Sequence, residues 1–221
     1  MAETNIEIKL KDVRLSFAQY LFETRVQMND KGVEEFSHDC VFLLDKESQA
    51  DQIKVIQDAM VAVRDAKWPG GAVKIPPERR CLRDGEPVDA DTGQKEALYE
   101  GYAGQMFLSA KRKKKTKDTP NPVQLIGPRK GADGKFLRVK ESDGLIYSGC
   151  YVNAIVRIYA YDGAGNNPNR INCSLEAVQF KRRGDPFGAK RVDADSAFDE
   201  EEGEDDMAPA AAGGDDNDPL G

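Results

Sequence analysis

The stretch "YSGCYVNAIVRIYAY", residues 147–161, alternates two kinds of side chain, and this constrains the fold more than any other feature. Successive side chains of an extended chain point to opposite faces. One face collects Ser148, Cys150, Val152, Ala154, Val156, Ile158 and Ala160, a set small and apolar enough for a core. The other collects Tyr147, Gly149, Tyr151, Asn153, Ile155, Arg157, Tyr159 and Tyr161. A strand this long with one apolar face needs neighbouring strands, so the chain is expected to be mainly β.

Four further segments supply those neighbours. Residues 6–17, "IEIKLKDVRLSF", place Ile6, Ile8 and Leu10 on one face, then Val13, Leu15 and Phe17 in the opposite phase. The slip at Lys11-Asp12 predicts a bulge of the kind that small curved barrels use at corners. Residues 36–44, 105–110 and 170–181 read as strands as well. Between the second and third strands the period changes. Ile53, Ile56, Met60 and Val63 form a helical stripe between about Lys46 and Lys67. Ser48 and Asp51 are placed to cap its start, and Pro69-Gly70-Gly71 ends it. Trp68 is expected to plug the end of that helix, with base stacking as the alternative. Residues 69–96 read as a long loop region.

Catalytic signatures are missing. There is no G-x-S-x-G, H-E-x-x-H or phosphate-loop pattern, and the single histidine, His38, gives little scope for acid–base work near neutral pH. Asp84, Glu86, Asp89 and Asp91 could suggest a metal-dependent nuclease, but no regular element fixes them, so a solvated loop is the preferred reading. Cys40, Cys81, Cys150 and Cys173 show no zinc-type spacing and read as reduced thiols. No cofactor or metal is implied. The charge-studded N-terminus "MAETNIEIKLK" does not resemble a signal peptide, and no apolar run of ~18 residues would span a bilayer. A cytoplasmic setting is expected.

The formal charge of -7 conceals a partition. Twelve of the 39 acids lie from Asp193 onward with no base among them, so residues 1–192 hold 27 acids and all 32 bases, a net of +5. A basic body points to phosphates. The densest cluster is "KRKKKTK", residues 111–117, within a basic loop or arm of about 111–142. Applied to residues 106–112, the two-residue period turns Met106, Leu108 and Ala110 inward and Phe107 and Lys111 outward. In the first strand Arg14 opposes Val13 and Leu15. Aromatics and cations therefore share a non-core face on three strands. Single-stranded nucleic acid requires that combination, because unpaired bases stack on rings, at about 1–3 kcal/mol per base, while cations follow the phosphates. The candidate stacking residues are Phe107, Tyr147, Tyr151, Tyr159 and Tyr161. The candidate phosphate contacts are Arg14, Lys111, Arg112, Lys113, Lys114, Lys115 and Arg157. Burial of the tyrosines under a second layer is the competing reading.

Four segments in order, "VRLSFAQYLF", "LRDG", "YAGQMFLSAKRK" and "YSGCYVNAIVRIYAYD", resemble a phage family of single-stranded-DNA-binding proteins of Enterobacter-phage type, once described as a domain of unknown function. The resemblance spans about residues 4–190. It implies an OB-fold, a five-stranded partly open barrel, and a cofactor-free role in phage DNA replication, recombination and repair within the infected host cell. Acidic tails in comparable proteins recruit replication partners and compete with DNA for the basic groove. Here residues 193–221 carry Phe198, Asp199, Glu200, Glu201, Glu202, Glu204, Asp205 and Asp206, then Asp215, Asp216, Asp218 and Leu220. This segment is expected to be disordered. It departs from the usual pattern by lacking a terminal aromatic, with Leu220 the nearest substitute. The expected partners are single-stranded DNA and, through the tail, phage or host replication proteins, with no membrane; a homo-oligomer stays open. The competing reading is a phage accessory or scaffold protein that acts through its tail without DNA affinity.

Overall fold

The computed structural model describes residues 5–29, 32–71, 73–89, 92–163 and 168–188. The acidic residues from Asp193 onward, with Phe198 and Leu220, lie outside the described residues.

The five expected strands are present as β1 (Asn5–Ser16), β3 (Glu34–Asp45), β5 (Gln105–Lys114), β8 (Tyr151–Tyr161) and β9 (Arg170–Arg182). They are contiguous in one sheet, in the order β5-β3-β1-β8-β9, and every neighbouring pair is antiparallel. The two ends of this run approach each other. Arg112 on β5 donates to the Ser174 hydroxyl at 3.1 Å and to Glu176 at 2.6 Å on β9, and Arg80 forms an isolated bridge with Ile171. The outcome is a curled, incompletely closed sheet with its core inside.

Four short strands extend it beyond the expected five. The strand β2 (Arg25–Met28) pairs with β3, β4 (Leu82–Asp84) with β5, and β6 (Gln124–Lys130) runs parallel to β9 and carries β7 (Phe136–Arg138) at the outer edge. Three or four residues are too few for a period to show in sequence, which explains why β2, β4 and β7 were not anticipated.

The bulge falls where the phase slip predicts it. Pairing of β1 with β8 shifts register between Leu10 and Val13, and Asp12 adopts a φ of 53°. Leu10 and Val13 are both buried as a result. Asp12 also grips Arg182 with both carboxylate oxygens, at 3.0 and 3.4 Å.

The main helix, α2 (Ala50–Lys67), follows the four-residue α1 (Gln19–Phe22) and packs on β8 and β1. It buries Ile53, Ile56, Ala59 and Val63; Met60 is only partly covered, so Ala59 takes the place expected for it. The expected cap is also revised. Ser48 does not cap the helix; Asp45 accepts the Ser48 backbone N–H and hydroxyl, both at 2.7 Å, and so builds the turn that leads into α2. Trp68 packs against the main core at the helix end.

Candidate nucleic-acid interface

The non-core face of the sheet is organised around one cross-strand row. Paired residues run from Arg83 on β4 to Phe107 on β5, Leu43 on β3, Arg14 on β1, Tyr151 on β8 and Arg182 on β9. Directly opposed residues on neighbouring strands share a face. Three arginines and two aromatic rings are thereby set along one line. Arg83 lies 4.6 Å from the Phe107 centroid and Arg182 3.3 Å from that of Tyr151. An exposed cation–π contact contributes about 0.5–1 kcal/mol, weak enough for a stacking base, at about 1–3 kcal/mol, to displace it.

One end of the row is roofed. Phe107, Leu43 and Tyr102 form a second small core, with Phe17, Val41 and Phe187 packed on it. Phe107 lies on the expected face but is only 6% exposed, which corrects its assignment as an open stacking platform. The cause is a loop arrangement that no period encodes. Tyr102 packs 5.5 Å from Phe107, Tyr99 packs 5.2 Å from Tyr102, and Phe17 meets Tyr99 edge-on at 5.4 Å. Tyr99, at 58% exposure, is the open ring of that group.

Residues 183–188 cross the other end of the row. Gly149 has a φ of 108°, and a Cβ there would collide with the Asp185 carbonyl; a Cβ at Gly184 would collide with the Gly149 carbonyl. The Tyr147 hydroxyl secures the crossing by donating to the Gly184 carbonyl at 2.8 Å and accepting its N–H at 3.1 Å. Tyr147 is therefore corrected as well. The strand begins at Tyr151, and the Tyr147 ring packs on the main core because Gly149 interrupts the alternation. Arg14 donates to the carbonyls of Gly149 at 3.3 Å and Asp185 at 2.8 Å, and stacks 4.2 Å from the Phe187 centroid.

The basic run is strand as far as Lys114 and divides between the two faces. Lys111 and Lys113 lie on the non-core face, opposite Asp39 and Ser37. Lys111 is half-buried and donates to Gln27 at 2.8 Å; burial lowers its pKa. Lys113 pairs with Glu35 at 2.9 Å, a hydrogen bond that holds this carboxyl below its ordinary range. Arg112 points the other way, into its contacts with Ser174 and Glu176, so its assignment to phosphate gives way to a barrel-closing role. Lys114 donates to Thr24 and to the Lys117 carbonyl, and Lys115 is exposed in the turn that follows.

On β8 the expected split holds. Val152, Ala154, Val156 and Ile158 are buried, while Tyr151, Asn153, Ile155, Arg157, Tyr159 and Tyr161 face away from the core. Arg157 pairs with Glu7 at 3.3 Å. Tyr159 is half-buried, which raises its pKa against the lowering effect of a hydrogen bond from Asn172. Tyr161 is 38% exposed. Sequence reasoning missed Arg83, Tyr99, Arg182 and Phe187, which only strand pairing and the crossing segment bring to this face.

The other candidate chemistries take structural forms. Asp84 and Glu86 converge on Lys46, at 2.7 and 3.9 Å. Among the described residues no group of three or more His, Cys, Asp or Glu is arranged to hold a metal. The four cysteines are free and buried, with the Cys81 thiol pushed up to about 12 by burial.

Comparison with known proteins gives this geometry a family. A model described as Enterobacter phage Enc34, ssDNA-binding protein matches residues 6–208. Putative protein p50 of Acyrthosiphon pisum secondary endosymbiont phage 1 is 34% identical over 202 residues, covering 88% of this chain and 94% of that protein. The single-stranded DNA-binding protein from bacteriophage Enc34, in complex with ssDNA, superposes with a TM-score of 0.58 at 22% identity, over 82% of this chain and 89% of that one. A second structure of that protein gives 0.55 at 22% identity, over 87% and 90%. The structural likeness establishes a shared mainly β fold with one main helix, and the match over most of the sequence shows that the chain belongs to the Enterobacter phage Enc34 family of ssDNA-binding proteins.

Proposed function

We propose that this protein is a non-enzymatic, sequence-tolerant binder of single-stranded DNA that protects exposed strands during phage replication, recombination and repair in the cytoplasm of the infected cell. The observation that carries the reading is the row Arg83–Phe107–Leu43–Arg14–Tyr151–Arg182, cations and rings on a non-core face, in a member of a family named for ssDNA binding. Tyr151 and Tyr99 offer ring faces to bases, and the row arginines Arg83 and Arg182 offer charge to phosphates. Stacking needs no base identity, so affinity follows strand exposure more than sequence. The acidic tail competes for the same cations and, when DNA displaces it, recruits replication proteins of phage or host.

Fluorescence titration of oligo-dT in rising salt tests the reading. Affinity is expected to fall steeply with salt and to favour single strands over duplex. Binding that ignores salt, or no binding, overturns it in favour of an accessory protein acting through its tail.

A further inference from the structure

The cations of the basic run are largely committed within the molecule. Arg112 is held by Glu176, Lys113 by Glu35, Lys114 by Thr24 and the Lys117 carbonyl, and Lys111 by Gln27. The β6–β7 hairpin is different. From Gln124 to Lys140 it carries five bases and a single carboxylate, Asp133, which is engaged by the Lys135 backbone N–H at 3.0 Å. Among the described residues, Arg129, Lys130, Lys135 and Arg138 enter no ion pair.

Apolar surface accompanies this uncompensated charge. Phe136 is 38% and Leu137 55% exposed on the outermost strand of the sheet, a position where exposed apolar residues are a liability unless something uses them. Lys130 opposes Phe136 across the hairpin, with its Nζ 5.2 Å from the ring centroid, and Arg138 opposes Ile126. Gln124, Ile126, Lys130, Phe136 and Arg138 line a shallow groove. This groove lies on the same sheet surface as the arginine–aromatic row. Pairing links Arg138 to Ile126, Gln179 and Asn153 across β7, β6, β9 and β8, and Asn153 lies two residues from Tyr151 on that face of β8.

We propose that the β6–β7 hairpin is a second contact for single-stranded nucleic acid, beyond the arginine–aromatic row. Lys130, Lys135 and Arg138, which line the groove, hold successive phosphates, and Phe136 stacks a base. The proposal rests on the ssDNA reading above and lengthens the path that a strand follows over the protein.

The test compares the full-length protein with the triple variant Lys130→Gln, Lys135→Gln, Arg138→Gln, using oligo-dT and poly-dT. Removing three phosphate contacts is expected to reduce the slope of log K against log salt by about 2, since each contact on a single strand contributes about 0.7. The length of poly-dT occluded per protein is expected to shorten, with thermal melting unchanged. Phe136→Ala is expected to weaken oligo-dT binding by at least about fivefold. A control with three other cations neutralised (Lys54, Arg64 and Lys74) accounts for the change in overall charge and is expected to keep both slope and occluded length. If the hairpin variant keeps both while Tyr151→Ala weakens binding, the hairpin proposal is overturned and the ssDNA reading stands. If the parent protein itself ignores salt and single strands, both fall together.

Discussion

Tyr151 separates a structural from a functional ring at the scale of one residue. Its face is partly exposed, and it lies beneath Arg182, itself held by Asp12. Replacing Tyr151 with alanine is expected to weaken oligo-dT binding by about 5- to 150-fold, the equivalent of one stacked base, while leaving the fold intact. Unchanged affinity in the titration would remove the stacking role. His38 yields a prediction of a different kind. It is 2% exposed, and its Nδ1 donates to the Tyr20 carbonyl at 3.1 Å. Burial lowers its pKa below 6.5, with Lys114 adding to the effect and the Tyr20 carbonyl and Asp39 opposing it. As pH falls through 6.5, the unfolded chain gains a proton that the buried imidazole does not. Stability therefore declines as pH drops from that point toward the folded-state pKa, by at most about 1.4 kcal/mol per pH unit. Denaturant melts between pH 8 and 5 check this, and His38→Gln should flatten the decline.

At the scale of elements, the strand β8 and the crossing segment 183–188 define each other. Gly149 is tolerated only without a side chain, because its φ of 108° and the nearby Asp185 carbonyl leave no room for a Cβ. Gly149→Ala is expected to destabilise the fold by more than about 1 kcal/mol. It should also loosen Arg14, which loses the Asp185 carbonyl and the Phe187 ring when the segment lifts. Calorimetry and protease accessibility after Arg182 read the two effects. The period of β8 was legible in sequence because alternation is a local property of the chain. The end of that alternation was not, because the reason for it lies more than thirty residues away. Phe107 repeats the lesson: its face followed from the period, but its burial depends on Tyr102 and Phe187 arriving from elsewhere.

At the scale of the whole molecule, charge partition makes the boldest claim. Deleting residues 193–221 removes twelve acids and leaves a body of net +5. The truncated protein is expected to bind oligo-dT more tightly than the full chain, with the gap closing as salt screens the tail. Equal affinities at low salt would show that the tail does not compete for the DNA surface. The structure also redistributes the positive charge within the body. A run of six bases in seven residues looked like the main phosphate site, yet Lys113 and Arg112 are ion-paired with Glu35 and Glu176, and Lys114 is tied to the Thr24 hydroxyl. The freer cations lie on the β6–β7 hairpin, where they are spread too thinly along the chain to attract notice.

The sequence by itself determined the five long strands, the bulge at Asp12, the helix between the second and third strands, and the sign of charge on body and tail. All of these are read from neighbours within a few positions, where the geometry of an extended or helical backbone dictates which side chains share a face. Tertiary structure alone decided the arginine–aromatic row, the roof over Phe107, the pairing of Arg112 with Glu176, and the exposure of the hairpin cations. Each depends on which strand lies beside which and in what register. That choice is made by the packing of the core as a whole, because burying the apolar faces together fixes the partners of every polar residue on the opposite side.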